Sequence, residues 1–251
     1  MGVVYRAQQH IGPATRSVAV KLIHPAFLRV ARDEAMARFL AELHTLATLQ
    51  HEHIARIYDG GIYDDPRTHE PLPFMAMELV HGGLPITTYA REYGLTWPER
   101  LALFLRVCRA LQYAHEHRVV HRDLKLANLL VDQDGRPFVI DFGLAHVCDA
   151  VLSGAHLAAS GTPAYMSPEQ VSEAFGAISE KSDVYALGLI LFELLTEQLP
   201  YGLPHDGSFE QLCQAITEVT PPPHNQSSAG KARVMPAWPR RPWLVGRPSR
   251  R

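Results

Sequence analysis

The run His121-Arg122-Asp123-Leu124-Lys125-Leu126-Ala127-Asn128 places an acid, a lysine and an amide within six positions, and Asp141 adds a second acid thirteen residues after the amide. These are the parts needed to move a phosphoryl group. A carboxylate takes or orients the proton of an attacking hydroxyl, and a cation neutralises developing charge. An amide and a carboxylate oxygen suit magnesium, which prefers few protein oxygens beside phosphates and water. Any one of these residues reads equally well as part of a polar loop before a hairpin. The whole set does not, because identities and intervals fit together. Further upstream, Val18-Ala19-Val20-Lys21 ends an apolar strand with a lysine. Alone, that lysine is one snorkelling to water; beside the other residues it is an amine for the phosphates of a nucleotide.

The elements that must hold these groups fall into two parts. Val3 to Ala7 and Val18 to Leu22 read as short strands joined through the turn signal Gly12-Pro13. Met36, Phe39, Leu40, Leu43, Leu46 and Leu49 give Asp33 to Leu49 helical spacing. Ile54 to Ile62 and Phe74 to Val80 read as strands around a polar loop, Asp64 to Pro73. Beyond His81-Gly82-Gly83 the pattern is mainly helical. Thr96-Trp97-Pro98-Glu99 is a capping box opening a long helix through Leu101, Leu105, Cys108, Leu111 and Tyr113. Asp134-Gly135 is a hairpin turn between Leu129-Val131 and Phe138-Ile140. Apolar helices are expected over Ser182 to Thr196 and near Phe209 to Ile216.

Composition sets the outer bounds. A chain of 251 residues that is 47% apolar can bury a sizeable core. Cys108, Cys148 and Cys213 are widely spaced, which argues against a disulfide framework and for a reducing, cytoplasmic compartment. Met1 to Ala7 lacks the apolar core of a signal peptide, and Val184 to Leu195 is too short to span a bilayer. Of the fourteen histidines, His51/His53 and His115/His117 are expected in polar turns and helix ends, with no structural metal. The net charge of −2 hides an asymmetry: Lys231 to Arg251 holds seven basic residues and no acid, while the rest of the chain carries −9. Residues 221–251 contain seven prolines without periodicity and are expected to form an irregular or disordered tail.

The catalytic run and Asp141-Phe142-Gly143 resemble the catalytic loop and metal motif of protein kinases of the bacterial serine/threonine type, as does Ser167-Pro168-Glu169-Gln170. The resemblance implies an α+β, two-lobed fold. A small antiparallel sheet with one helix (residues 1–80) would precede a mainly helical lobe (81–223), with the hinge near Glu78 to Val80. It implies ATP and Mg2+ as cofactors and proteins bearing serine or threonine as partners, with no nucleic acid. Asp123 becomes the catalytic base, Lys125 the neutraliser of the transferred group, and Asn128 and Asp141 the metal ligands. Lys21 would hold the α- and β-phosphates, oriented by Glu42. Gly2 and Val4 would belong to the phosphate loop and nucleotide roof, Ala19 and Leu130 would sandwich the adenine, and Met77, Glu78 and Val80 would line its back and hinge. Thr162, in Gly161-Thr162-Pro163, would contact the catalytic acid and lysine, and with Lys125 it implies serine/threonine specificity. Leu46, His121 and Phe142 would stack as a regulatory column. Asp183 would brace the catalytic-loop backbone, and Arg122 would receive a phosphate carried at Ser153 or Ser160.

The chain departs from the family at three places. Leu126 stands where proline is usual, with an expected small effect on loop rigidity. Gly2-Val3-Val4 supplies only the end of the glycine-rich phosphate loop, and the pattern stops at Pro221, before the last helices. The sequence is therefore expected to be truncated at both ends, with Glu169 deprived of its usual arginine. Beside an active serine/threonine kinase stand two alternatives: a catalytically impaired fragment acting as a scaffold, and a small-molecule kinase of related fold. Lys125, Thr162 and the Ser-Pro-Glu end count against the last.

Overall fold

A computed structural model describes residues 3–23, 32–66, 71–142, 163–198 and 209–218. The first part is a four-stranded antiparallel sheet in the order β1-β2-β4-β3, built from β1 (Val3–Ile11), β2 (Ala14–Leu22), β3 (Ile57–Asp64) and β4 (Pro71–Glu78). β1 and β2 run longer than their apolar cores suggest. They continue as polar strands to a tight turn in which Gly12 takes φ +59°, a left-handed value that glycine adopts without steric cost. Pro71 and Pro73 lie inside β4 rather than in the loop before it. They are tolerated because their nitrogens lie on the β2 side, where the β2–β4 ladder covers only Phe74 to Glu78.

Register fixes which side chains share a face. Val4 is opposite Lys21, Lys21 opposite Met75, and Ala19 opposite Met77. Directly opposed residues point the same way, and alternate residues on a strand do too, so these five line one side of the sheet. Helix α1 (Arg32–Ala47) packs on the sheet through Ala35, Phe39, Leu43 and Leu46, all buried. Leu40, counted with the apolar stripe in the sequence, instead faces solvent. Gly60 lets the helix come close: a Cβ there would lie 2.4 Å from Leu43 Cδ2.

The rest of the described chain is mainly helical. A small sheet in the order β5 (Leu84–Pro85), β6 (Leu129–Val131) and β7 (Pro137–Val139) receives residues 121–128 at the start of its central strand, β6. The helices are α2 (Ile86–Glu92), α3 (Trp97–Glu116), α4 (Pro168–Val171), α5 (Glu180–Thr196) and α6 (Phe209–Glu218). The expected capping box opens α3: Glu99 Oε2 accepts from the Thr96 N–H at 2.7 Å and its hydroxyl at 2.6 Å. Val107, Ala110, Leu111 and Ala114 of α3 pack with Ile190 and Leu194 of α5 in one core cluster. Leu105, by contrast, sits on the outer face of α3. Arg100 ties the two helices together, donating to the Leu194 carbonyl at 2.7 Å and to Glu197 Oε1 at 2.9 Å. His53 is not in an open polar turn. It is buried, with Nδ1 3.0 Å from the Pro137 carbonyl, and it fastens the segment after α1 to β7.

Candidate active site

Two short 3-10 and loop segments carry the chemistry, and each is fixed by a strand. Leu126–Asn128 forms a single 3-10 turn leading directly into β6. Leu126 is buried in the core cluster, so packing holds the turn where a proline ring would otherwise stiffen it. Asp123 and Lys125 meet here, with Lys125 Nζ 2.7 Å from Asp123 Oδ2. Asn128 Nδ2 donates to the Asp123 carbonyl at 2.8 Å, and no donor to its amide oxygen is found among the described residues. After β7, Asp141 adopts φ +63°, a left-handed value uncommon outside glycine. Its Oδ2 lies 2.8 Å from Lys21 Nζ, and its Oδ1 is buried with no hydrogen-bond partner.

The backbone that presents Asp123 is held from below. Asp183, at the start of α5, accepts from the His121 N–H at 2.8 Å and the Arg122 N–H at 2.9 Å. His115 Nε2 donates to the same carboxylate at 2.7 Å. Burial pushes the Asp183 carboxyl upward, but the His115 bond, the His121 charge and the two backbone donors outweigh it and hold the group below the usual range. The loop needs this support because Arg122 sits at φ +65°, a conformation costing a side-chain-bearing residue on the order of 1 kcal/mol.

His121 closes the site toward the sheet. Its Nε2 lies 3.0 Å from the Ile140 carbonyl, and its ring stands 4.7 Å from that of Phe142. Leu46 of α1 and Phe142 both belong to the main core cluster. Val4, 54% exposed, lies on the same sheet face as Ala19, and Leu130 is half-buried in β6. Met77 is buried and Glu78 closes β4, where its N–H donates to the Arg56 carbonyl at 2.8 Å. The Val80 carbonyl accepts from Gly83 at 3.1 Å in the connection that follows. Gly2, Gly143, Ser153, Ser160 and Thr162 lie outside the described residues, as does the tail beyond residue 218.

Glu42 departs from expectation. It makes no ion pair with Lys21, whose partner is Asp141. The apolar stripe of α1 seats the helix on the sheet with Glu42 beside it, half-buried, where the nearby charge is the Arg122 guanidinium. Burial pushes its carboxyl upward and Arg122 only partly offsets this. Glu169 is likewise not left alone. The Ser182 hydroxyl donates to its Oε1 at 2.6 Å, and although burial works to raise the carboxyl, this bond and the neighbouring donors bring it below the usual value. Sequence reasoning missed Ser182, His115 and Gln170 as parts of the site. Only Gln170 left a signal, as the glutamine of a Ser-x-x-Gln capping box.

Among the described residues no three His, Cys, Asp or Glu gather into a metal site. Asn128 and Asp141 nevertheless fit a magnesium ion shared with phosphates: each has a side-chain oxygen that no donor among the described residues uses, and that of Asp141 is buried. Nor does any helix of the described residues have the length and apolarity to cross a membrane.

Comparison with known proteins places this geometry. The protein kinase domain family model matches residues 1–235. The DNA damage-responsive serine/threonine-protein kinase RqkA of Deinococcus radiodurans is 37% identical over 90% of this chain and 32% of its own length. PrkC of Bacillus subtilis, a serine/threonine-protein kinase, is 35% identical over 80% of this chain and 29% of its own. Pkn1 of Myxococcus xanthus, also a serine/threonine-protein kinase, is 35% identical over 93% and 32%. The chain thus spans about a third of the length of these relatives. Rad53 residues 1–466, solved in complex with AMP-PNP, superposes with a TM-score of 0.62 at 26% identity, covering 86% of this chain and 49% of that one.

Proposed function

The chain belongs to the protein kinase family, and from that premise we propose that it transfers the γ-phosphoryl group of ATP to serine or threonine side chains of proteins. The observation that carries this reading is a set of three contacts among five residues: Lys125 on Asp123 at 2.7 Å, Asn128 on the Asp123 carbonyl at 2.8 Å, and Lys21 on Asp141 at 2.8 Å.

Asp123 accepts the hydroxyl proton of the attacking serine or threonine, and Lys125 offsets charge gathering on the transferred oxygens. Lys21 holds the nucleotide phosphates, with Asp141 as the carboxylate beside its amine. Val4, Ala19 and Leu130 offer apolar faces to the adenine, beside Met77, Glu78 and Val80. Gly2 would cover the phosphates, and Thr162 would complete the contact with Asp123 and Lys125. Asn128 and Asp141 would hold a magnesium ion, whose chemistry is to neutralise the phosphate oxygens. The lobes divide near residue 80, and the kinase domain runs to about residue 223. A cytoplasmic location follows the cysteine spacing.

Incubation with γ-labelled ATP, Mg2+ and a protein acceptor, followed by phosphoamino-acid analysis, tests the reading. Label on serine and threonine supports it. Nucleotide binding without any transfer would instead favour a scaffold.

A further inference from the structure

The Arg122–Asp123 peptide is gripped at both ends. Its N–H, that of Asp123, donates to the His121 carbonyl at 2.9 Å, and its carbonyl, that of Arg122, accepts from Gln170 Nε2 at 2.5 Å. Gln170 lies on α4, forty-eight residues away in sequence. Its other end is also engaged: Oε1 accepts from the Ser167 N–H at 3.1 Å and the Ser167 hydroxyl at 3.2 Å. One half-buried amide therefore joins the cap of α4 to the peptide that carries the base.

We infer that Gln170 is a positioning residue for Asp123, acting through the Arg122 carbonyl; this rests on the proposed kinase reading. Arg122 is held at φ +65°, so rotation about its N–Cα bond toward a less strained value is available and would carry the following peptide with it. Turning that peptide would swing the Arg122 carbonyl away from α4 and rotate the Asp123 carboxylate with it. Asp183 fixes the preceding peptide, through the His121 and Arg122 N–H groups, but makes no bond to the Arg122 carbonyl. Gln170 supplies the missing restraint. A second link, Ser182 to Glu169 at 2.6 Å, anchors α4 itself to α5, so the clamp pulls against a fixed element.

The substitution Gln170→Glu separates positioning from capping. Glutamate keeps the oxygen acceptor for Ser167, and indeed suits a capping box, but has no N–H to give the Arg122 carbonyl. In the full chain, kcat for Gln170→Glu should fall about ten- to a hundredfold, with KM for ATP unchanged within about twofold. Hydrogen exchange of the amides at 121–124 should quicken about five- to tenfold, as for the loss of one hydrogen bond, while exchange in α3 stays at the wild-type rate. Gln170→Ala should match it in kcat and also lower the melting temperature, having lost the cap. Wild-type exchange at 121–124 in Gln170→Glu overturns the inference, as does faster exchange with undiminished kcat. If neither wild type nor variant transfers phosphate, the proposed activity fails, and the exchange rates alone still decide whether Gln170 restrains the peptide.

Discussion

Lys21 Nζ lies 2.8 Å from Asp141 Oδ2, so the amine on the sheet and the acid after β7 neutralise each other across the cleft. Glu42, on α1, has Arg122 as its neighbouring charge instead. Lys21 thus links the sheet to the segment that follows β7. Lys21→Met keeps the stem and removes the charge. It should lower transfer about 10²–10³-fold, the range for losing one aligned electrostatic group. Calorimetric titration with Mg-ATP should show weaker binding in the same variant. Wild-type turnover would remove Lys21 from the mechanism.

Asp123→Asn is nearly isosteric and keeps an acceptor for Lys125, but it cannot take a proton. Transfer should fall by roughly 10³-fold or more, in line with loss of a general base, while Mg-ATP still raises the melting temperature. A variant with normal turnover would show that the base has been wrongly assigned.

Much of this site could be read from the sequence because its chemistry is local. Asp123, Lys125 and Asn128 share one short loop, and their spacing alone brings them together. The strand carrying Lys21 and the capping box at Thr96 are equally local patterns. What the sequence did not reveal depends on contacts between distant elements. The choice of Asp141 over Glu42 as partner of Lys21 follows from the seating of α1 and a left-handed φ at Asp141, neither of which a one-dimensional pattern records. The same holds for Ser182 meeting Glu169, thirteen residues away, and for Gln170 meeting Arg122. Strand ends in β1 and β2 were missed because their outer residues are polar on an exposed hairpin, where backbone pairing rather than burial extends the strand.

Gly60 offers a test of how closely α1 must sit on the sheet. A Cβ would lie 2.4 Å from Leu43 Cδ2, which can rotate away, and 3.0 Å from the Phe74 carbonyl, which is fixed in β4. Gly60→Ala should therefore cost about 1–3 kcal/mol of stability through overpacking, measured by denaturant unfolding. Because Leu46 and Glu42 ride on the same helix, transfer should fall as well. Stability equal to wild type would mean the helix has slack at this contact.

Asn128 and Asp141 each keep an oxygen that no donor among the described residues uses, so nucleotide affinity should depend on the metal through them. Adding EDTA to the wild-type chain should abolish transfer and weaken ATP binding. Asp141→Asn should bind ATP with nearly equal affinity in magnesium and in EDTA. A large magnesium effect persisting in that variant would locate the ion elsewhere.

Asp183 gives the pH dependence a definite sign. Its carboxyl is held below the ordinary value of 3.8 in the folded chain, because the donors from His115, His121 and Arg122 together exceed the cost of burial. Between the lowered folded value and 3.8 the unfolded chain binds more protons, so stability rises with pH there. The contribution is complete above that window and is lost as pH falls through it. Asp183→Asn replaces one acceptor oxygen by an N–H2 group facing backbone donors, which should cost about 2–4 kcal/mol at pH 7. The difference from wild type should shrink as the solution is acidified below about pH 4, since the unfolded wild-type chain then takes up a proton that the folded carboxylate still refuses. Denaturant unfolding of both proteins from pH 7 to pH 3 measures this. A gap that stays constant with pH would mean that the His121 and Arg122 amides do not depend on the charge of Asp183. With the gap closing, the same titration should show the Arg122 backbone, held at φ +65°, losing its support at acid pH, seen as faster amide exchange at 121–124.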